Sequence, residues 1–322
     1  MWILNEDTDK ATEYKSLLYL MTGVSFNKKG RKSHVPTNLQ NTKAYSMIDK
    51  KLFDEYLIAT PEKLRVMHRE LFSKLPKESD GRIVKDEINC LKSIFNYNSY
   101  FYNNKEFAYE VAKLMGINTC VYCNRQYTIT VTDSDSGEQL IRPEFDHWFS
   151  HSEFPDLGIS YFNLIPSCYL CNSTLKHSEP MSIDKHIHPY IDKKAGFSFT
   201  YTPSSIGNVV AVEIDASMPK TYRNRVAKTL DLFKTGQIYG MHSSFELKDL
   251  INLAQANPPD YIDVLVNDIA KDLGMDEGDA YRILFGTEQK EKDYLNRPMS
   301  KFKCDIIKKI RKDFKLNLKI NK

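Results

Sequence analysis

Apolar residues recur with helical period over the first third of the chain. Val84, Ile88, Leu91 and Phe95 fall at i, i+4, i+7 and i+11, one face of an amphipathic helix. Leu52, Tyr56 and Leu57 predict another. Thr60-Pro61-Glu62 sets an N-cap residue type before a proline at the first helical position, and predicts a helix running to about Phe72. Residues 26–41 are basic and polar, contain Gly30 and Pro36, and read as a loop. A last helix over about 105–115 ends at Gly116. The pattern then changes. Residues 127–132 are β-branched and aromatic with period 2, which predicts a strand. Asp133 to Gly137 form a turn cluster, and 140–149 read as the return strand, with Asp146 and His147 near its end. After a loop, Pro166-Ser167 is read as opening a helix that runs past Asn172 toward Lys176. Two further strands, 196–201 and 209–214, flank a turn at 203–207. From Pro219 onward the helical period returns, with Tyr222, Val226, Leu230 and Phe233 on one face and Ile262, Leu265, Ile269 and Leu273 on another, separated by a break at 257–260. There is no internal repeat and no low-complexity segment. The pattern divides the chain into a helical region 1–117, a mixed module 118–217 and a helical region 218–322.

The 322 residues, 41% hydrophobic and 27% charged, are ordinary for a water-soluble globular protein. No apolar run is long enough to span a membrane. The first residues lack a basic segment followed by an apolar one, so no secretory signal is expected and a cytoplasmic location follows. The net charge is only +3 but is unevenly spread: residues 301–322 carry nine Lys and Arg against two Asp. Lys28, Lys29, Arg31 and Lys32 form a second basic cluster, and Lys220, Arg223, Arg225 and Lys228 a third. Such clusters are either solvated helix faces or the footprint of phosphate binding.

Chemistry concentrates in residues 120–176. Cys120-Val-Tyr-Cys123 and Cys168-Tyr-Leu-Cys171 are two C-x2-C pairs, and four thiolates at that spacing suit one tetrahedral structural Zn²⁺ with no open position. Four unrelated thiols or a redox pair are the alternatives. Cys90 and Cys304 stand alone in helical patterns and read as small buried apolar residues. Between the pairs lies Asp146-His147. A histidine at a strand end can serve as general base for water, while an adjacent carboxylate holds a divalent cation. Asn163 can bond backbone groups across the intervening loop. Asn172 offers a hard oxygen suited to Mg²⁺, and Lys176, one turn on, can reach a phosphate.

In this set of residues the segment 120–176 resembles the HNH endonuclease family: two Cys-x2-Cys pairs, an Asp-His, an Asn-Leu at Asn163-Leu164, and an Asn directly after the last cysteine. The stretch from Asp146 to Cys168 is similar to the HNH subunits of Septu-type bacterial antiphage systems, which work with an ATPase partner. The resemblance implies an α+β chain, mainly helical, with an embedded ββα-metal module. It implies His147 as general base, Asp146 and Asn172 as ligands of a catalytic Mg²⁺ or Mn²⁺, Asn163 as the structural asparagine, and Zn²⁺ on the four cysteines. Relatives often have Pro where this chain has Ser150, and a Lys three residues after the final Asn, whereas Lys176 lies four beyond Asn172. His151, His186 and His188 are further candidates for a ligand or phosphate contact.

The expected function is metal-dependent hydrolysis of DNA phosphodiester bonds, in antiphage defence with a regulatory ATPase or sensor partner. Lys176, Lys220, Arg223 and Arg225 are the candidate nucleic-acid contacts. RNA or tRNA cleavage, and an inactive zinc-stabilised binding module, are the alternatives.

Overall fold

The computed structural model describes residues 2–205, 207–256, 264, 267–268 and 271–320, with side chains as far as 313. It is an α+β arrangement in which helices surround small two-stranded sheets. The N-terminal part is built from α1 (Thr8–Thr22), α2 (Lys43–Met47), α3 (Lys50–Ile58), α4 (Pro61–Lys74), α5 (Lys85–Ile94) and α6 (Lys105–Met115). Their ends follow local chemistry. Asp7 accepts a hydrogen bond from Lys10 N at 2.9 Å to start α1, and Asn104 accepts from Phe107 N at 3.1 Å to start α6. α6 stops where Gly116 turns left-handed at φ 64. Thr60 and Pro61 open α4 as expected.

On α5 the buried face differs from the expected one. Glu87, Cys90, Leu91 and Ile94 are buried, while Ile88 is only half-buried. A polar residue displaces the apolar stripe because Glu87 is used as a cap for another helix. Its Oε1 accepts from Lys43 N at 2.9 Å and its Oε2 from Ala44 N at 2.7 Å, satisfying two open amides at the start of α2. Glu87→Ala removes both bonds and strands the two amides, so unfolding by urea should show a loss of about 2–4 kcal/mol. A loss within about 0.5 kcal/mol, as for an ordinary surface change, would mean that water replaces the carboxylate.

The sheets are β1 (Val131–Thr132) with β2 (Gln139–Ile141), β3 (Glu144–His147) with β4 (Leu164–Ser167), and β5 (Phe197–Ser204) with β6 (Gly207–Ile214), all antiparallel. Here the expected strand pairing is corrected. The return strand does not run unbroken over 140–149, because Arg142-Pro143 separates β2 from β3, and proline has no amide to give a ladder. Asp146 and His147 therefore lie on β3, whose partner is β4, in the segment read as loop and helix start. The register sets Asp146 opposite Ile165 and His147 opposite Leu164. Pro166 and Ser167 are strand residues, and the helical segment after them is π-helical, Leu170–Lys176.

C-terminal to these lie α7 (Lys220–Leu232), α8 (Thr235–Gly240), α9 (Glu246–Gln255), α10 (Glu277–Phe285) and α11 (Ser300–Ile320). Val226 and Phe233 are buried as the period indicated. Leu273 is exposed, while the helix face at Ile262, Leu265 and Ile269 and the break at 257–260 lie outside the described residues. Cys90 and Cys304 are buried. One core cluster joins the N-terminal helices to β3, β4 and the cysteine pairs; a second joins β5, β6 and the C-terminal helices, with Trp2 in it. No described helix is long and apolar enough to cross a membrane.

Candidate metal centre and active-site cleft

The first cysteine pair sits where the two cores meet. Trp2 donates from Nε1 to Tyr122 O at 2.8 Å, and Tyr239 donates to Cys123 O at 2.6 Å. Asn124 follows the pair in a left-handed conformation, φ 49. Its buried amide donates to Thr119 Oγ1, Tyr294 O and Arg297 O at 2.9, 2.8 and 3.1 Å. The register of β4 against β3 then carries Cys168 and Cys171 to the same place. The sulfurs of Cys120, Cys123, Cys168 and Cys171 all lie within 4.8 Å of one another, among the described residues the one gathering of three or more Cys, His, Asp or Glu ligand atoms. These four can bind a metal such as zinc: the donor set is all thiol, buried, and of the right number for a tetrahedron. Arg125 N points at Cys123 Sγ, 3.4 Å away, a donor suited to a thiolate. Without a cation, burial pushes the Cys120 thiol up; a cation on the sulfurs reverses that preference.

Beside this centre opens a cleft of about 810 Å³, lined among others by Tyr97, Arg142, Glu144, Asp146, His147, His151, Tyr169, Asn172 and Lys176. Five of the residues singled out from sequence thus line it: Asp146, His147, His151, Asn172 and Lys176. Asp146 is only 3% exposed, and both its oxygens are engaged, Oδ1 by Lys176 Nζ at 2.7 Å and Oδ2 by the Tyr122 hydroxyl at 2.5 Å. Lys176 also donates to His147 O at 3.2 Å and is itself buried. The wider π-helical turn explains how a lysine four residues after Asn172 returns to the same wall. Asn172 donates from Nδ2 to Glu144 Oε2 at 2.9 Å, and Ser173 donates to the same oxygen.

His147 Nε2 lies 2.8 Å from Gly158 O. A carbonyl only accepts, so Nε2 carries the proton and Nδ1 keeps the lone pair. The ring packs edge-on against Tyr97, centroids 4.5 Å apart, and against His151 at 5.3 Å. Burial pulls its pKa down to about 4, which keeps the imidazole neutral at physiological pH. Asn163 is fully buried beneath the cleft rather than on its wall. It accepts from Phe149 N at 2.7 Å and donates to Phe149 O and Leu157 O at 3.1 and 3.0 Å, closing the loop between β3 and β4.

The remaining candidates lie elsewhere. Lys220 is exposed at the start of α7, and Arg223 is half-buried. Arg225 is spent inside the protein, on Asp192 at 2.6 Å and His186 O at 2.8 Å. Lys32 is buried over the Tyr100 ring, and burial lowers its pKa to about 8. His151 is exposed on the cleft, whereas His186 and His188 are buried, with pKa values lowered by burial to about 4 and about 3. Glu144, Tyr122 and Gly158 were not singled out from sequence. Period-2 alternation from Asp146 points back to Glu144; nothing local marks the other two.

His147, His186 and His188, three of the four histidines that burial depresses, make acid unfavourable for the fold. Unfolded imidazoles take up protons near pH 6.5, the folded ones only near 4 or below, so their stabilising contribution is complete above about 6.5 and is lost as the pH falls toward 4. His188 Nδ1 accepts from Tyr190 N at 3.2 Å, a role an asparagine oxygen can fill. Unfolding free energy measured between pH 6.5 and 4.5 should fall less steeply in His188→Asn than in the wild type; parallel slopes would assign the acid sensitivity to other groups.

No protein-family model, curated protein or solved structure significantly matches this chain.

Proposed function

We propose that the chain is a nuclease of the ββα-metal type, hydrolysing phosphodiester bonds in nucleic acid, with DNA as the first substrate to test. The observation that supports this most is His147: a neutral imidazole whose Nε2 is committed to Gly158 O and whose Nδ1 is free to take a proton, on the wall of an open cleft. β3, β4 and the π-helical segment supply the two strands and helix of such a module, with the four cysteines as its zinc clamp. In the reaction, His147 Nδ1 takes a proton from water as that water attacks phosphorus in line with the leaving 3′ oxygen. Arg142 on the cleft wall meets the phosphate charge, its guanidinium steadied over the Phe145 ring at 5.5 Å. Zn²⁺ on the cysteines fixes the frame and has no coordination site left for substrate.

A catalytic Mg²⁺ or Mn²⁺ fits Asp146 poorly in this arrangement. Lys176 and Tyr122 already engage both carboxylate oxygens, so a divalent ion would have to displace an ammonium, and no step is assigned to it. The same pair of contacts favours a second reading, a zinc-stabilised binding module without hydrolytic activity. The likeness of residues 120–176 to HNH subunits of antiphage systems supports a defence role under a restraining partner, since an unrestrained nuclease damages its own host. Zinc-loaded protein should be incubated with supercoiled plasmid, linear duplex, single-stranded DNA and RNA in EDTA, Mg²⁺ and Mn²⁺. Cleavage of DNA is expected. Cleavage of RNA alone reassigns the substrate, and no cleavage by folded protein under any condition favours the binding module.

A further inference from the structure

The Gly158 carbonyl that orients His147 belongs to a short strap, residues 154–160, pinned at nearly every residue. Asn163 donates to Leu157 O at 3.0 Å, and Tyr14 on α1 donates to Ile159 O at 2.6 Å. Gly158 is seated so tightly that an added Cβ would lie 2.7 Å from Phe95 O. Asp156 is fully buried, and its Oδ1 accepts from His68 Nδ1 at 2.8 Å. The His68 ring is wedged between Phe72 and Phe154, at centroid distances of 4.0 and 4.5 Å. A buried carboxylate needs partners; His68, from the middle of α4, supplies one to Oδ1, and burial together with Asp156 raises the pKa of the nearby Tyr56 hydroxyl. The helical flank is thereby tied to the cleft: His68 holds Asp156, the backbone runs on through Leu157 to Gly158, and Gly158 O meets His147 Nε2.

We infer that His68 is a positioning residue for His147, acting through Asp156 to hold the Gly158 carbonyl and so to fix the imidazole with its proton on Nε2. The assignment rests on the nuclease reading for its consequence, because only a base needs its lone pair aimed. The geometry itself needs no substrate. Gly158 also bears on a small side pocket, about 150 Å³, shared with Tyr97, Asn98 and His151, so the strap has open space beside it.

The test reads the His147 tautomer by nitrogen-15 NMR in the full, zinc-loaded chain, assigned by the signal missing from His147→Gln. The wild type should show the proton on Nε2 alone. His68→Phe keeps the ring packing and removes the donor; Asp156→Asn leaves no buried charge and serves as the second variant. Both should show a mixed tautomer and, if the nuclease reading holds, a kcat lower by about 10-fold or more with KM little changed, the scale seen when partners that orient a reactive imidazole are removed. His68→Asn, whose amide can replace Nδ1–H, should restore the wild-type tautomer. Folded variants with lowered Tm but an unmoved tautomer would overturn the assignment and leave His68 as mere packing. A wild type that cleaves nothing while the variants move the tautomer overturns the nuclease reading and leaves the positioning role intact.

Discussion

His147→Gln is expected to lower phosphodiester cleavage by about 10²–10⁴-fold, the usual contribution of a positioned general base. Glutamine is the informative replacement. Its amide can donate to Gly158 O as Nε2–H does at 2.8 Å, so the carbonyl is not stranded, and it offers no group that takes up a proton near neutral pH. His147→Ala removes the same base but also leaves that buried carbonyl without its partner, at about 1–3 kcal/mol. Comparing the two separates chemistry from fold. Both should be inactive, while only the alanine variant should melt measurably earlier. The pH profile adds a second reading. Because burial holds the folded imidazole near 4, the base form persists well below pH 6.5, and the acidic limb of kcat/KM should fall near 4 in protein that keeps its zinc. A glutamine variant that cuts as fast as the wild type would remove His147 from the mechanism, and with it the support for hydrolysis in this cleft.

The parts of this site that were legible in the sequence are those whose signal is local. The two C-x2-C pairs declare a metal centre by spacing, and the structure brings the four sulfurs together. Pro61 at the first helical position and left-handed Gly116 mark helix ends because both act within a single turn. The partner of β3 was not legible. β4 is four residues long and buried throughout, so it shows no alternation, and Pro166 within it suggests a helix start rather than a ladder. Charge was misleading for a related reason. Composition counts Lys32, Lys176 and Arg225 as surface cations, yet each is turned inward onto Tyr100, Asp146 or Asp192, and those partners lie 30 or more residues away in sequence. The strap at 154–160 left no trace: its hold on His147 is made by backbone carbonyls, and a carbonyl has no sequence.

Removing zinc should have the largest effect on the protein as a whole. Binding of Zn²⁺ to a four-ligand structural site contributes roughly 10–16 kcal/mol in small zinc modules, more than the net stability of most domains. Here the consequence should spread beyond the module. The first cysteine pair is also where Trp2, Asn124 and Tyr239 tie the N-terminus and the C-terminal helices together. The second pair terminates β4, which among the described residues is the only strand paired with β3. Losing the cation leaves four buried thiols packed around nothing that holds them, and β3, with Asp146 and His147 on it, loses the fixed end of its ladder. Metal analysis of protein purified without chelator should give one zinc per chain. Stripping it with a strong chelator at neutral pH, or replacing Cys171 by Ser, should lower Tm by more than about 10 °C, given about 2–4 °C per kcal/mol for a domain of 150–250 residues. Near-ultraviolet dichroism should weaken in the same samples, because Tyr122 stacks on Phe233 at 4.2 Å beside Cys123 and both rings would lose their fixed surroundings. His147→Gln should leave the zinc content unchanged. A chain that purifies without zinc and melts at the same temperature with or without chelator would show that packing alone holds the four cysteines, and the cation would then have no part in presenting the cleft.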